Sequence, residues 1–145
     1  MKHLVAIVDA NGQHARMVAD ALLSFYTVHP YDTSANAISG MYITQPKLIL
    51  VGQRVGAGSG ANFIKDLKKE KPLSGIPVIF IIDNEDYRIV DTMRDFGIKD
   101  RLVKPYRRSE LINVISKHVN GRVERSWQAP TLGRVDPSPL MIADP

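Results

Sequence analysis

Hydrophobic residues along the chain alternate between short continuous runs and longer segments with helical spacing. Residues 47–52 (KLILVG) and 76–82 (IPVIFII) are apolar almost throughout, as strands buried on both faces require. Residues 3–9 (HLVAIVD) and 98–103 form similar runs, and residues 27–31 form a weaker one. The pattern therefore predicts five β-strands.

Segments with helical spacing separate and follow these runs. The predicted helices span about residues 13–26, 35–45, 86–96 and 108–120, with a shorter one after Gly60. Ser34 is predicted to cap the second helix, and Gly97 to follow the last residue of the fourth. Apolar residues three and four positions apart are predicted to face the core. They are Val18, Leu22, Phe25, Ile38, Met41, Phe63, Ile64, Leu67, Ile89, Met93, Phe96, Leu111, Ile112, Ile115 and Val119.

Strands that alternate with helices predict an α/β fold, with a parallel sheet covered by helices on both faces. Right-handed crossovers and five strands favour a flavodoxin-like, doubly wound sheet of order 2-1-3-4-5 with five helices. Pro30 lies in the second strand and cannot donate a hydrogen bond to a neighbouring strand, so this strand is predicted at an edge. The order 2-1-3-4-5 places it there.

The chain of 145 residues has the length of one domain. We predict a domain over residues 1–121 and a linker or flexible C-terminal tail over residues 122–145, because the last eighteen residues hold four prolines and show no periodicity. An alternative is that the apolar Leu140–Ile142 docks as a short segment.

Composition narrows the possible functions. The chain has no cysteine, which excludes disulfides and thiolate chemistry. Its apolar runs are too short to cross a bilayer and its N-terminus lacks a signal peptide, so we expect a cytoplasmic protein without membrane contact. The net charge is +4, but the basic residues show no nucleic-acid-binding motif, so we interpret them as a solvated surface. The clearest cluster is Lys65, Lys68, Lys69 and Lys71.

Ligands of such sheets bind beyond the carboxyl ends of the strands. The residues at these ends are Asp9, Ala10, Gly52, Ile82 and Lys104. No nucleophile with a partner base is evident among them, so we predict no catalytic residue and no enzymatic activity. The histidines lie on different predicted elements without metal-ligand spacing, and we predict no metal or cofactor. They are His3, His14, His29 and His118.

The last three strands resemble those of receiver domains of two-component response regulators. The resemblance is carried by PKLILVG, by Gly60, by IPVIFII and by the ending FGIKDRLVKP, and it covers about residues 3–120. In that family the positions of Gly52, Ile82 and Lys104 normally hold the phospho-accepting aspartate, a threonine or serine, and a lysine before a cis proline. The resemblance therefore implies a role in phosphorelay signal transduction.

The chain departs from the family pattern at the positions that carry phosphorylation chemistry. Ala10 cannot ligate Mg²⁺, which requires oxygen ligands, Gly52 has no nucleophile, and Ile82 has no hydroxyl. Arg54 stands two residues after Gly52, where its positive charge would repel a metal ion. These departures indicate a degenerate pocket, that is, a pseudo-receiver.

The surviving acid of this pocket is Asp9. We expect it to pair with Lys104 or Arg54, because a buried charge needs a partner. The substitution Gly52→Asp is not expected to restore phosphorylation, and its structural effect is expected to be weak because the strand end should accept a side chain.

We therefore predict a protein–protein interaction or regulatory module that is independent of phosphorylation. Its partner would be another protein, an attached output domain or a second copy, bound through the family's usual surface on helix four, strand five and helix five. Arg101 stands where the family has a switch aromatic. The predicted interaction face comprises Tyr87, Asp91, Arg94, Lys99, Arg101 and Arg108.

An alternative function rests on the loop Gly56–Gly60. A glycine-rich loop between a strand and a helix can bind the phosphates of a nucleotide or another ligand. The loop lacks the full spacing and the lysine of such motifs, so we prefer to interpret it as a flexible turn.

Overall fold

A computed structural model describes residues 2–84 and 87–119, together with the backbone of Met141–Ile142. The strands of the main sheet are β1 (His3–Val8), β2 (Tyr26–Tyr31), β3 (Leu48–Gly52), β4 (Val78–Ile82) and β5 (Asp100–Val103). They are parallel and lie in the order β2-β1-β3-β4-β5, which confirms the flavodoxin-like prediction. The helices are α1 (Gly12–Leu22), α2 (Ser34–Thr44), α3 (Gly60–Lys68), α4 (Tyr87–Phe96) and α5 (Arg108–Val119).

The sheet separates two hydrophobic cores, because successive side chains of a strand point to opposite faces. In β1, Val5 and Ile7 pack with residues of α1 and α5, whereas Ala6 and Val8 pack with residues of α2, α3 and α4. All residues of β3 and β4 are buried, as expected for strands covered on both faces. Pro30 lies in β2, at the edge of the sheet, as predicted.

Two boundary predictions are wrong. Helix α1 ends at Leu22, so Phe25 lies beyond the helix and 51% of it is exposed, instead of facing the core. Helix α2 is capped by Thr33 and not by Ser34, because the Thr33 hydroxyl accepts a hydrogen bond from the Asn36 N–H at 3.2 Å.

The end of α4 follows the prediction. Gly97 has a φ of +69°, the left-handed conformation that glycine adopts readily after the last residue of a helix. None of the described helices is long and apolar enough to cross a membrane.

The C-terminal segment bears on the choice between a linker and a docking segment. Met141–Ile142 forms a two-residue antiparallel ladder with Tyr106–Arg107, which precede α5. This contact favours docking for these two residues. The remainder of the predicted tail, residues 122–140 and 143–145, lies outside the described residues, and so do residues 85–86 at the predicted start of α4.

Candidate functional site at the carboxyl edge of the sheet

The acid of the predicted pocket, Asp9, directly follows β1 and is 3% exposed. Its carboxylate accepts a hydrogen bond from the Asn11 N–H at 2.8 Å through Oδ1. The other oxygen, Oδ2, accepts from Nδ1 of His14 at 2.8 Å. Because both oxygens have partners on the first turn of α1, the direction of the carboxylate is fixed.

His14 links the Asp9 carboxylate to a second buried side chain, that of Tyr106. It is fully buried, and its second ring nitrogen, Nε2, lies 2.8 Å from the hydroxyl of Tyr106, which is also buried. A carboxylate can only accept, so Nδ1 of His14 donates to Asp9, while the Tyr106 hydroxyl, which can donate or accept, is the hydrogen-bond partner of Nε2. The Asp9–His14–Tyr106 network therefore connects the end of β1, helix α1 and the segment before α5.

Local sequence explains why His14 points inward. The side chain of Asn11 caps α1 by accepting from the His14 N–H at 3.0 Å. From that start, His14 shares the inner helix face with Val18 and Leu22, four and eight residues later, and all three are buried. Neither His14 nor Tyr106 was predicted as a site residue. The signal for His14 was its spacing from the apolar residues of this face.

Gly52, at the end of β3, lies against the Asp9 carboxylate. A Cβ atom added to Gly52 would lie 2.5 Å from both Cγ and Oδ2 of Asp9, much closer than van der Waals contact. The prediction that this strand end accepts a side chain is therefore wrong, because Asp9 already occupies the space.

Lys104 and Ile82 lie on the neighbouring strands of the same edge. Ile82 is fully buried, and its carbonyl accepts from the Lys104 N–H at 2.9 Å. The Lys104 ammonium lies 3.5 Å from a carboxylate oxygen of Asp83, whose N–H donates to the side-chain oxygen of Gln53 at 2.7 Å. The Lys104–Pro105 peptide bond is cis, as the resemblance implies.

Ala10 and Arg54 are joined by a backbone hydrogen bond. The N–H of Ala10 donates to the Arg54 carbonyl at 2.8 Å. The side chain of Arg54 is exposed and lines a groove of about 440 Å³ that also includes Asp83 and Arg88. This groove carries charges of both signs.

The loop that contains Gly56–Gly60 is a small hairpin in which Arg54–Val55 pairs with Gly58–Ser59. Gly56 has a φ of +59°, a conformation that side chains disfavour. A Cβ added to Gly60 would overlap the Gly52 carbonyl. Two of the glycines are therefore explained by the fold alone.

The donor set at this edge does not fit Mg²⁺, which favours several oxygen ligands in octahedral geometry. Asp9 offers one carboxylate whose oxygens are already hydrogen-bonded, and Ala10 and Gly52 offer no side-chain ligand. Within residues 2–84 and 87–119, no three histidine or acidic side chains cluster in a way that could hold a metal ion.

The predicted interaction face lies mainly on α4 and β5. Tyr87 is 73% exposed, and Val90 and Val103 add exposed apolar surface. The Arg94 guanidinium contacts the Asp91 carboxylate at 3.0 Å and the Asp95 carboxylate at 3.7 Å.

The remaining residues of that face divide into two groups. Lys99 and Arg101 are exposed. Arg108 is half-buried, and its Nε donates to the Ala21 carbonyl of α1 at 3.2 Å. Its guanidinium therefore has a structural contact with α1 in addition to its predicted place on the interaction face.

Comparison with known proteins agrees with this architecture. The family model of the response regulator receiver domain matches residues 5–116, and the chain belongs to this family. It is 32% identical over 84 residues to the phosphate regulon transcriptional regulatory protein PhoB of Escherichia coli. The matched part is 57% of this chain but 34% of PhoB, so the chain spans about a third of the length of this relative. The same values hold for PhoB of Shigella flexneri.

Solved structures show the same fold at lower identity. The chemotaxis protein CheY4 of Vibrio cholerae superposes with a TM-score of 0.75 at 17% identity, over 81% of this chain and 99% of that one. A CheY-like receiver domain protein from Methanospirillum hungatei gives a TM-score of 0.75 at 15% identity, over 86% and 99% of the two chains.

Proposed function

We propose that this receiver domain does not accept a phosphoryl group on aspartate and acts as a phosphorylation-independent interaction module of a two-component pathway. The observation that carries the proposal is the position of Asp9. Its carboxylate, held by His14, fills the space beside Gly52 into which a side chain at the family's acceptor position would extend.

The chemistry of phosphoryl transfer supports the proposal. An aspartyl phosphate forms when a carboxylate attacks phosphorus while cations neutralise the transferring group. Gly52 supplies no carboxylate, and Asp9 would have to break its bond with His14 to attack. The other carboxylate near this edge, that of Asp83, is exposed and forms an ion pair with the Lys104 ammonium.

The exposed position of Arg101 supports a receiver domain that does not switch between two conformations. A two-state switch responds only to a ligand that binds its states with different affinity. The family's aromatic at this position moves between buried and exposed states, whereas burial of an arginine is unfavourable without partners. Arg101 is exposed on β5, and we infer that it stays outward.

The surface around Arg101 suits a protein partner. Tyr87 and Val90 provide exposed apolar area, and tyrosine and arginine are enriched among residues that dominate binding energy. Asp91 and Arg94 place both charges on α4, so the face could bind a second copy, an attached output domain or another protein. The alternative of a phosphate ligand has less support, because Gly56 and Gly60 have backbone and packing roles.

Phosphorylation is tested directly by incubation with acetyl phosphate and Mg²⁺ followed by intact-mass spectrometry. An active receiver domain treated in parallel controls for the phosphodonor. We expect the mass to stay unchanged. A stoichiometric gain of one phosphoryl group, abolished by Asp9→Asn or by Asp83→Asn, would overturn the proposal and identify the acceptor.

The interaction face is tested by Arg101→Glu, with Lys65→Glu on α3 as the matched charge reversal. Self-association is measured by analytical ultracentrifugation, and partner binding by pull-down from lysate. We expect Arg101→Glu to weaken association and Lys65→Glu to leave it unchanged. Unchanged association and an unchanged set of partners in a folded Arg101→Glu variant would exclude this face.

A further inference from the structure

Tyr106 takes part in two contacts, one through its side chain and one through its backbone. Its hydroxyl lies 2.8 Å from His14 Nε2, and the residue is 1% exposed. Its backbone belongs to the two-residue strand Tyr106–Arg107, which pairs with Met141–Ile142 in the register Tyr106 with Ile142 and Arg107 with Met141. One residue thus joins the polar network of the pocket to the C-terminal segment.

Contacts within the domain hold the strand Tyr106–Arg107 in addition to its pairing with Met141–Ile142. The Arg107 N–H donates to a carboxylate oxygen of Glu110 at 2.8 Å, which fixes the start of α5. The Tyr106 side chain is anchored in the core beside Leu111 and Ile115. Tyr106 and Arg107 pair with Met141–Ile142 in a separate two-stranded ladder and not with the five-stranded sheet. A rigid edge of this kind binds an extended peptide through backbone hydrogen bonds.

The ladder with Met141–Ile142 is part of the fold; we propose that the Asp9–His14–Tyr106 network determines how firmly this C-terminal segment docks on the Tyr106–Arg107 strand. The inference does not depend on whether the domain is phosphorylated. Its physical basis is that loss of the Tyr106 anchor would loosen the backbone with which the segment pairs.

The length of the connecting chain and the strand-forming character of Ile142 both suit docking of Met141–Ile142. Helix α5 has twelve residues, so the chain must return about 18 Å from the end of the helix to its start. Residues 120–140 connect Val119 to Met141, and an extended chain advances about 3.3 Å per residue, which is ample for the return. Ile142 is β-branched, a type that favours strands.

Docking is tested in the full chain by amide hydrogen exchange of the segment around Tyr106. The variant Met141→Pro/Ile142→Pro removes both N–H donors of the C-terminal strand, and Thr131→Pro/Leu132→Pro places two prolines elsewhere in the same region as a control. Loss of the ladder's hydrogen bonds is expected to speed exchange of the Tyr106 amide about tenfold, with no change in the control. Unchanged exchange in the first variant would overturn the docking site.

The identity of the occupant is tested by varying the protein concentration. Protection of the Tyr106 amide by the chain's own segment does not depend on concentration. Protection that rises with concentration would assign the strand to a second copy and overturn the intrachain proposal.

The role of the network is tested by Tyr106→Phe, which keeps the ring and removes the hydroxyl. The Arg107 N–H donates to Glu110, so Tyr106–Ile142 is the hydrogen-bonded pair of the ladder. We expect the Ile142 amide to exchange about threefold faster, a fraction of the effect of one lost hydrogen bond, while amides of β4 report that the core stays folded. Tyr42→Phe, on α2, is the control. Unchanged exchange at Ile142 in Tyr106→Phe would refute the coupling, even where the ladder itself is confirmed.

Discussion

Among the described residues, two aspartate–histidine pairs have nearly equal bond lengths in different surroundings. Asp9 and His14 are 2.8 Å apart with side chains 4% and 0% exposed, whereas Asp100 and His118 are 2.7 Å apart with side chains 22% and 20% exposed. Removal of one partner of a buried pair leaves a charge without water, whereas a pair near the surface can exchange its partner for solvent. Burial, and not bond length, should therefore decide what each pair contributes.

The two pairs also differ in their connections. Asp9–His14 continues to Tyr106 and excludes a side chain at Gly52, so three structural elements depend on it. Asp100 has a second partner, because the Lys117 ammonium lies 3.2 Å from its other oxygen. In the part of the chain that the structure describes, every buried side-chain nitrogen or oxygen has a hydrogen-bond partner. Disruption of the buried network would leave such groups unsatisfied.

The largest expected effect follows from His14→Leu, which leaves the buried Asp9 carboxylate with the Asn11 N–H but without the His14 imidazole. The free energy of unfolding should fall by about 3 kcal/mol, because a buried charged group that loses a hydrogen-bond partner is at the upper end of the cost of an unsatisfied group. The matched change His118→Leu should lower it by about 0.2–1 kcal/mol. Urea unfolding of both variants measures the difference, and equal losses would contradict the comparison.

A smaller loss of stability is expected from Gly52→Ala, because the added methyl group overlaps the Asp9 carboxylate. Overpacking of this kind lowers the free energy of unfolding by about 1–3 kcal/mol. Gly75→Ala is the control, since a Cβ at Gly75 meets no atom within 4 Å. In an Asp9→Ala background the loss should shrink. A loss that persists there would show that Asp9 is not the obstacle.

Tyr106→Phe is expected to lower the free energy of unfolding by about 1–3 kcal/mol, because Nε2 of His14 loses its partner in the core. Tyr42→Phe removes a hydroxyl that contacts Glu70 at the surface and should leave the urea midpoint unchanged. Similar midpoints for the two variants would mean that the hydroxyl of Tyr106 contributes little.

The strands and their order were predictable because burial on two faces leaves a continuous apolar pattern, as in β3 and β4, and because Pro30 restricts β2 to an edge. The Asp9–His14–Tyr106 network could not be predicted from the sequence. His14 and Tyr106 are 92 residues apart in sequence, and no local period links them. Phe25 was misplaced because apolar spacing continues past Leu22, where the helix ends. The contact of Arg108 with α1 likewise depends on how two helices pack, which spacing along the chain does not reveal.

The smallest expected effect concerns Asp100 and its dependence on pH. Burial raises the pKa of Asp100, but hydrogen bonds from His118 and Lys117, together with their charges, outweigh it and hold this pKa below its usual value of 3.8. Because the folded state binds this proton less tightly than the unfolded chain, the ionised carboxyl stabilises the fold above that value, and the contribution is lost as the pH falls through the lower folded-state pKa. Asp100→Asn should therefore destabilise by about 0.2–1 kcal/mol at pH 7, since the pair is partly exposed, and by less at pH 3. Urea unfolding at both pH values measures this change, with Asp20→Asn on α1 as the control for loss of a surface carboxylate. A difference between wild type and Asp100→Asn that grows on acidification would reverse the sign of this linkage and refute the assignment.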